Sequence, residues 1–108
     1  IDAIWAADDD MALGVEQALK EASRTAWIVG GGGMKDVVKR VQDGDPVFPA
    51  TVTYPPSMIA VGCQQAVSIL QSGKKDEILK FTPRHIKIEC DLVTKENAAR
   101  YYFPDSVY

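Results

Sequence analysis

An α/β fold built on a parallel sheet with helices on both faces is what this sequence predicts, on three observations. Short apolar runs rich in β-branched residues alternate with stretches of about ten to fifteen residues at helical spacing. Turn residues punctuate the boundaries, as in Asp43-Gly44-Asp45-Pro46 and Ser72-Gly73. Alternation of this kind is met by right-handed strand–helix–strand crossovers, which place successive strands side by side and parallel.

The elements follow in order. The chain opens on a strand, Ile1 to Ala7, whose apolar run from Ala3 to Ala7 reads as buried. Asp8, Asp9 and Asp10 come at once, and a helix is expected from Asp10 to about Ala22. Met11, Val15, Ala18 and Ala22 form its inner stripe, with Ala12 and Leu19 beside them; Glu16, Gln17, Lys20 and Glu21 face water. Ala26 to Val29 is a second short strand, followed by four glycines, Gly30 to Gly33. A second helix runs from Met34 or Lys35 to about Gln42, on Met34, Val37, Val38 and Val41. Gly44 suits the left-handed position after a helix, and Pro46 blocks continuation. Phe48 to Tyr54 is a third strand, ending at Pro55-Pro56. Ser57 is a candidate cap for a third helix to about Leu70, with Ile59, Cys63, Ala66 and Leu70 on one face. Residues 76–83 carry no clear signal. His85 to Cys90 alternates as a half-buried strand, and Thr94 is a candidate cap for a last helix, Lys95 to about Tyr102.

The 108 residues make one ordinary domain at most, and an apolar fraction of 46% is normal for a globular protein. A net charge of -3 leaves no electrostatic footprint for nucleic acid. No stretch is long and apolar enough to span a membrane. The chain opens directly on a strand without a polar lead-in, so it is expected to be a piece of a longer protein. Cys63 and Cys90 lack metal-ligand spacing, with His85 or without it, and both read as buried structural thiols. No cofactor or metal is expected.

The candidate site is where the first strand meets the first helix. In open α/β sheets ligands bind outside the carboxyl ends of the strands, and those ends carry Asp8, Gly31-Gly32 and Tyr54. Free N–H groups and the helix dipole favour carboxylates there. One reading makes Asp9 the helix N-cap and Asp10 a first-turn acid. The other points Asp8, one residue before the cap, into a ligand cleft. The run Gly30-Gly31-Gly32-Gly33-Met34-Lys35 fits neither phosphate-binding fingerprint, since Lys35 or Asp36 falls where a glycine is needed. Its glycines instead allow close backbone approach to a neighbouring element or small ligand. The aspartates lack the alternation of a calcium loop. No nucleophile turn is recognisable, and His85 has no evident partner. Tyr54 offers an aromatic face to the C–H face of a sugar, and Asp8 accepts from hydroxyls. Asp8, Gly32 and Tyr54 are the predicted ligand-binding residues.

The stretch Ile4-Trp-Ala-Ala-Asp-Asp-Asp-Met-Ala-Leu-Gly14 resembles the strand-to-helix motif in the second half of periplasmic sugar-binding proteins of the ribose/galactose type. Lac-repressor-type regulators share that core. Val29-Gly30, Gly44, Thr51-Val-Thr-Tyr54 and Val93-Thr-Lys-Glu-Asn97 fall in similar register. The resemblance implies the C-terminal part of a two-lobe protein: residues 1–54 in the second lobe, 55–85 in the first, and 86–108 back in the second. The chain would cross between lobes near Tyr54 to Pro56 and near Arg84 to Ile86. The resemblance gives Asp8 the place of a sugar-contacting Asn. Gly32 stands where an Asp is frequent and Tyr54 where Asn or Gln is frequent, so the contacts differ from those for ribose or galactose. It implies a binding protein, not an enzyme. The ligand would be a small polar molecule, a monosaccharide in the first instance. The partner would be the membrane permease of an ABC importer, and the location periplasmic or lipid-anchored outside the cytoplasm. The alternative is the effector-binding core of a lac-repressor-type regulator. An isolated chain would expose the stripe Ile59, Cys63, Ala66 and Leu70 and self-associate or swap to cover it. Cys63 and Cys90, on different lobes, would not be bonded.

Overall fold

The computed structural model describes residues 1–54 and 56–108; Pro55, on the first expected crossing, lies outside the described residues. The chain divides into two compact units, Ile1–Tyr54 with Cys90–Tyr108, and Pro55–Glu89.

The first unit is the α/β part. Its strands are β1 (Ala3–Trp5), β2 (Trp27–Val29), β3 (Ala50–Val52) and β4 (Leu92–Thr94), in the order β1-β2-β3-β4. Helix α1 (Asp9–Glu21) joins β1 to β2, and α2 (Lys35–Asp43) joins β2 to β3. The first three strands are parallel, as expected; β4 runs antiparallel to β3, with Thr51 opposite Val93. Consecutive strands in spatial order, joined by crossovers of one hand, put both connecting helices on the same face. Burial agrees. The middle residue of each strand points to the covered side: Ile28, Thr51 and Val93 are fully buried and Ile4 partly so. The flanking residues point to a side no helix of this unit covers, and Trp5 stays 75% exposed. The α/β class therefore stands, with the helices of this unit on one face rather than on both.

The core is small and well defined. Val37, Val38 and Val41 of α2 pack with Ile28, Phe48, Val93, Ala98 and Ala12. Each fully buried Val, Ile or Phe contributes about 1.5–3 kcal/mol, so α2 is the best anchored helix of the chain. Its predicted stripe and stop are both found, with Gly44 at φ 78° and its N–H turned back to the carbonyls of Arg40 and Val41.

Four sequence expectations for the strands and for the first and last helices change. The opening run is not a buried strand: Ala3 and Trp5 fall on the sheet face that no helix of this unit covers, and β1 sits at the sheet edge beside β2. The inner face of α1 is rotated. Ala12 and Glu16 are buried, while Met11, Ala18 and Ala22 are exposed. Small Ala12 lets the helix sit close over Gly30, and Glu16 is drawn in by a cationic partner described below. The strand expected at His85–Cys90 is absent; these residues form no ladder, and the edge of β3 is taken by Leu92–Thr94. Alternation marks an amphipathic strand but does not say which segment finds a neighbour. The last helix shrinks to a 3₁₀ turn, Ala98–Arg100. Thr94 belongs to β4, and Asn97 locks the turn by accepting from the Thr94 N–H at 2.8 Å and donating to the Leu92 carbonyl at 2.9 Å.

The second unit is a helical hairpin of α3 (Ser57–Gln71) and α4 (Lys75–Phe81), the latter filling part of the stretch without signal. Ser57 is the first helical residue rather than the cap, which is Pro56 and makes no side-chain bond. Neither helix contains a buried residue. Ile59 and Leu70 are 72% and 71% exposed, with Cys63 and Ala66 exposed between them. Cys63 and Cys90 are not buried, as the sequence implied, but exposed, and both are free thiols. Cys63 lies on a helix face without a covering layer, and Cys90 lies outside the sheet. Among the described residues no helix is long and apolar enough to cross a membrane.

Candidate functional site

At the carboxyl ends of β1, β2 and β3 the three predicted residues come together. Asp8 follows β1, Gly32 follows β2, and Tyr54 follows β3. The ladder between β2 and β3 continues upward through a parallel bridge between Gly32 and Thr53, with the Gly32 N–H donating to the Val52 carbonyl at 2.7 Å. That extension carries Tyr54 to the rim. Its hydroxyl donates to Asp8 Oδ2 in a short hydrogen bond.

Asp8 is also the N-cap of α1, one residue earlier than the simplest reading placed it. Its backbone is extended, and Oδ1 accepts from the Asp10 N–H at 2.9 Å. Capping and pointing into the rim are thus done by one side chain. A fourth residue, which the sequence did not nominate, completes the cluster. The Tyr108 hydroxyl donates to Asp8 Oδ1 at 3.3 Å. It reaches this place above Gly32, where an added Cβ would lie 2.7 Å from the phenol oxygen. Gly32 also has φ 116°, a conformation other residues resist.

The electrostatics follow from these bonds. The hydroxyl of Tyr54, and then the Asp10 N–H, hold the Asp8 carboxyl below its ordinary range, so it is a carboxylate at neutral pH. The Tyr54 phenol is pushed up to about 12, chiefly by its bond to Asp8. The Tyr108 phenol is raised as well, by burial first and by the Asp8 charge second. Both tyrosines therefore remain donors, and the rim carries net negative charge. A carboxylate has about four acceptor positions; three are used here, which leaves Asp8 one for a ligand donor.

Asp9 has a different task, which the local pattern missed. It is fully buried, and its carboxylate reaches across the fold. Oδ2 accepts from the N–H groups of Gly33 and Met34 at 3.0 and 2.8 Å, and Oδ1 from the Thr51 hydroxyl at 2.8 Å. Burial raises its pKa, and these donors only partly counter it. One carboxylate thus ties the start of α1 to the glycine turn and to β3, and so sets the height of the rim. The glycine run makes room for it: an added Cβ on Gly30 would lie 2.1 Å from Asp9 Oδ1. The close approach expected of that run is found. Thr51, a polar residue on the covered face of a strand, was the available signal that a buried partner existed.

No protein-family model matches the chain. Among curated proteins it is similar to the ribose import binding protein RbsB of Haemophilus influenzae, with 39% identity over 75 residues. The match covers 68% of this chain and 25% of that protein, so the chain spans about a quarter of the length of the relative it matches.

Proposed function

We propose that this chain is part of a periplasmic sugar-binding protein serving an ABC-type importer, with Asp8, Gly32 and Tyr54 forming part of the sugar site. The observation that carries the reading is the meeting on one rim of a carboxylate after β1 and an aromatic hydroxyl after β3, with Gly32 after β2 between them in sheet order. The similarity to a ribose import binding protein supports it. In this reading residues 1–54 and 86–108 belong to one lobe and 55–85 to the other. The parent closes on a ligand that touches both lobes, by its greater affinity for the closed state, and a membrane permease recognises the closed form. A negative rim whose tyrosines stay protonated favours hydroxyl-rich ligands that are neutral or carry an amine, and it disfavours sugar acids and sugar phosphates.

A thermal-shift screen of the full-length protein against monosaccharides tests the reading, because a ligand that binds the folded state raises its melting temperature. An Asp8→Ala variant should lose every shift the wild type shows. An Asp8→Ala protein with the same shifts would remove Asp8 from the site, and a wild type silent to all monosaccharides would remove the sugar.

The stripe Ile59, Cys63, Ala66 and Leu70 supports the lobe assignment, since an apolar helix face of this kind is normally covered. The 108-residue chain on its own is expected to self-associate through that face, or to swap it. Sedimentation velocity reads the outcome: a clean monomer at tens of micromolar or above would contradict it, and Ile59→Glu should shift a dimer to monomer.

A further inference from the structure

We propose that Tyr108 is a fourth ligand-contacting residue of this site, held above Gly32 by the Phe103–Tyr108 segment, and that it sets which hydroxyl pattern the site accepts. The inference rests on the binding reading given above and deepens it.

Three observations carry it. Tyr108 meets Asp8 from the side opposite Tyr54. One phenol donates to Oδ2 and the other to Oδ1, so the carboxylate lies between two aromatic hydroxyls. The space Tyr108 uses is the space that a side chain at position 32 would fill, since its oxygen lies 2.7 Å and its ring carbon Cε1 3.2 Å from where a Cβ would stand. Glycine and tyrosine are therefore complementary at this point: the one leaves the space open, and the other fills it from far along the chain. The segment is also tied down. Lys35 Nζ, at the start of α2, donates to the Ser106 carbonyl at 2.8 Å and to the Pro104 carbonyl at 3.4 Å. The Ser106 N–H turns back to the Phe103 carbonyl at 3.0 Å, and the Tyr108 N–H donates to Ser106 Oγ at 3.2 Å.

The chemistry at the rim changes accordingly. Asp8 alone presents only acceptors. With its proton directed at Asp8, the Tyr108 phenol keeps lone pairs that accept from a ligand hydroxyl. Its 3.3 Å bond to Oδ1 is the longest that Asp8 receives, so it adjusts most easily when a ligand arrives. Tyr108 remains 36% exposed, which leaves part of the ring open to the C–H face of a sugar. Lys35 acts as a positioning residue.

The test is calorimetric titration of the full-length protein with D-ribose and, where ribose gives no heat, with the monosaccharide that gives the largest thermal shift. Tyr108→Phe keeps the ring and removes one hydrogen-bonding group, and should weaken binding by about tenfold. Lys35→Met should weaken it in the same direction, and Lys35→Arg should restore it. Ultraviolet titration of tyrosine ionisation provides a reading without ligand: Tyr108→Phe should remove one phenol from the group that titrates above the ordinary range. Wild-type binding with an unchanged or tighter Tyr108→Phe affinity overturns the role of Tyr108 and leaves the sugar site standing. An unchanged count of high-titrating phenols overturns it too. A wild type that binds no monosaccharide overturns both.

Discussion

Replacing Asp9 by Ala should destabilise the α/β unit by about 3–5 kcal/mol, a large part of the stability of an ordinary domain. The carboxylate serves two backbone N–H groups and one hydroxyl at 2.8–3.0 Å from a fully buried position. With a methyl group in its place those donors face a void that water enters poorly, and each unsatisfied donor costs about 1–3 kcal/mol. Asp9→Asn is the informative companion. Its carbonyl serves the Gly33 and Met34 N–H groups, and its amide faces a Thr51 hydroxyl able to accept. It also removes the burial cost of a charge, so the loss should stay within about 1 kcal/mol. Gly30→Ala should resemble Asp9→Ala, because a Cβ would stand 2.1 Å from the carboxylate oxygen. The two changes act on one contact, so their combination should cost less than their sum. Urea unfolding of wild type, the three single variants and the Asp9→Ala/Gly30→Ala double variant decides the matter. An Asp9→Ala midpoint equal to that of wild type would show that the buried carboxylate holds nothing in place.

Arg40→Met should also destabilise the fold, and its effect should depend on pH. The guanidinium holds Glu16 with two bonds of 2.8 Å and Asp45 with one of 2.6 Å, and stacks 4.3 Å from the centre of the Phe48 ring. The Glu16 side chain is only 11% exposed. Removing Arg40 leaves this mostly covered carboxylate with Lys20 at 3.0 Å as its remaining partner, and leaves Asp45 without its guanidinium, at a cost of about 2–3 kcal/mol. In the wild type the Arg40 bonds hold Glu16 down at about 2 against an ordinary 4.5. A depressed carboxyl contributes stability that is fully present above about 4.5 and is lost as pH falls towards about 2. Burial pulls Asp45 upward, but Arg40 and the Val47 N–H outweigh it, so Asp45 loses stability in the same direction. The raised Asp9 works oppositely, favouring the fold as it takes up a proton. The acid side of the wild-type stability curve should therefore fall with a slope that Arg40→Met reduces, the part owed to Asp8 and to the Glu16–Lys20 pair remaining. Denaturant midpoints between about pH 2.5 and 7 measure it, and parallel curves for the two proteins would rule out the ion pair as the source.

Much of this molecule was legible from sequence where the determinants are local. The order of strands and helices, the Val37-Val38-Val41 stripe and the stop at Gly44 all follow from periodicity and turn chemistry, which act over a few residues. Asp8, Gly32 and Tyr54 were brought to one rim by topology alone, since parallel strands deliver their ends to the same edge. The misreadings have a common physical source, which is dependence on a distant partner. Glu16 looks like a surface acid until Arg40 folds over it. Trp5 looks like a core residue until it falls on the sheet face that no helix of its unit covers. His85–Cys90 has the alternation of a strand and lacks the neighbour. Asp9 and Tyr108 were hidden for the same reason: their partners are Thr51 and Asp8, and no local pattern links residues so far apart.

The double employment of Asp8 restricts what can be rewritten there. The side chain that addresses the rim is also the one that starts α1, through its bond to the Asp10 N–H. Only a handful of residue types satisfy such a helix start, namely Asp, Asn, Ser, Thr and, less well, Gly. A designer rewriting the rim would find that alphabet short, with Asn the exchange that trades charge for neutrality while still capping the helix. Broader changes of taste would have to be made at positions 54 and 108, which carry no such second obligation.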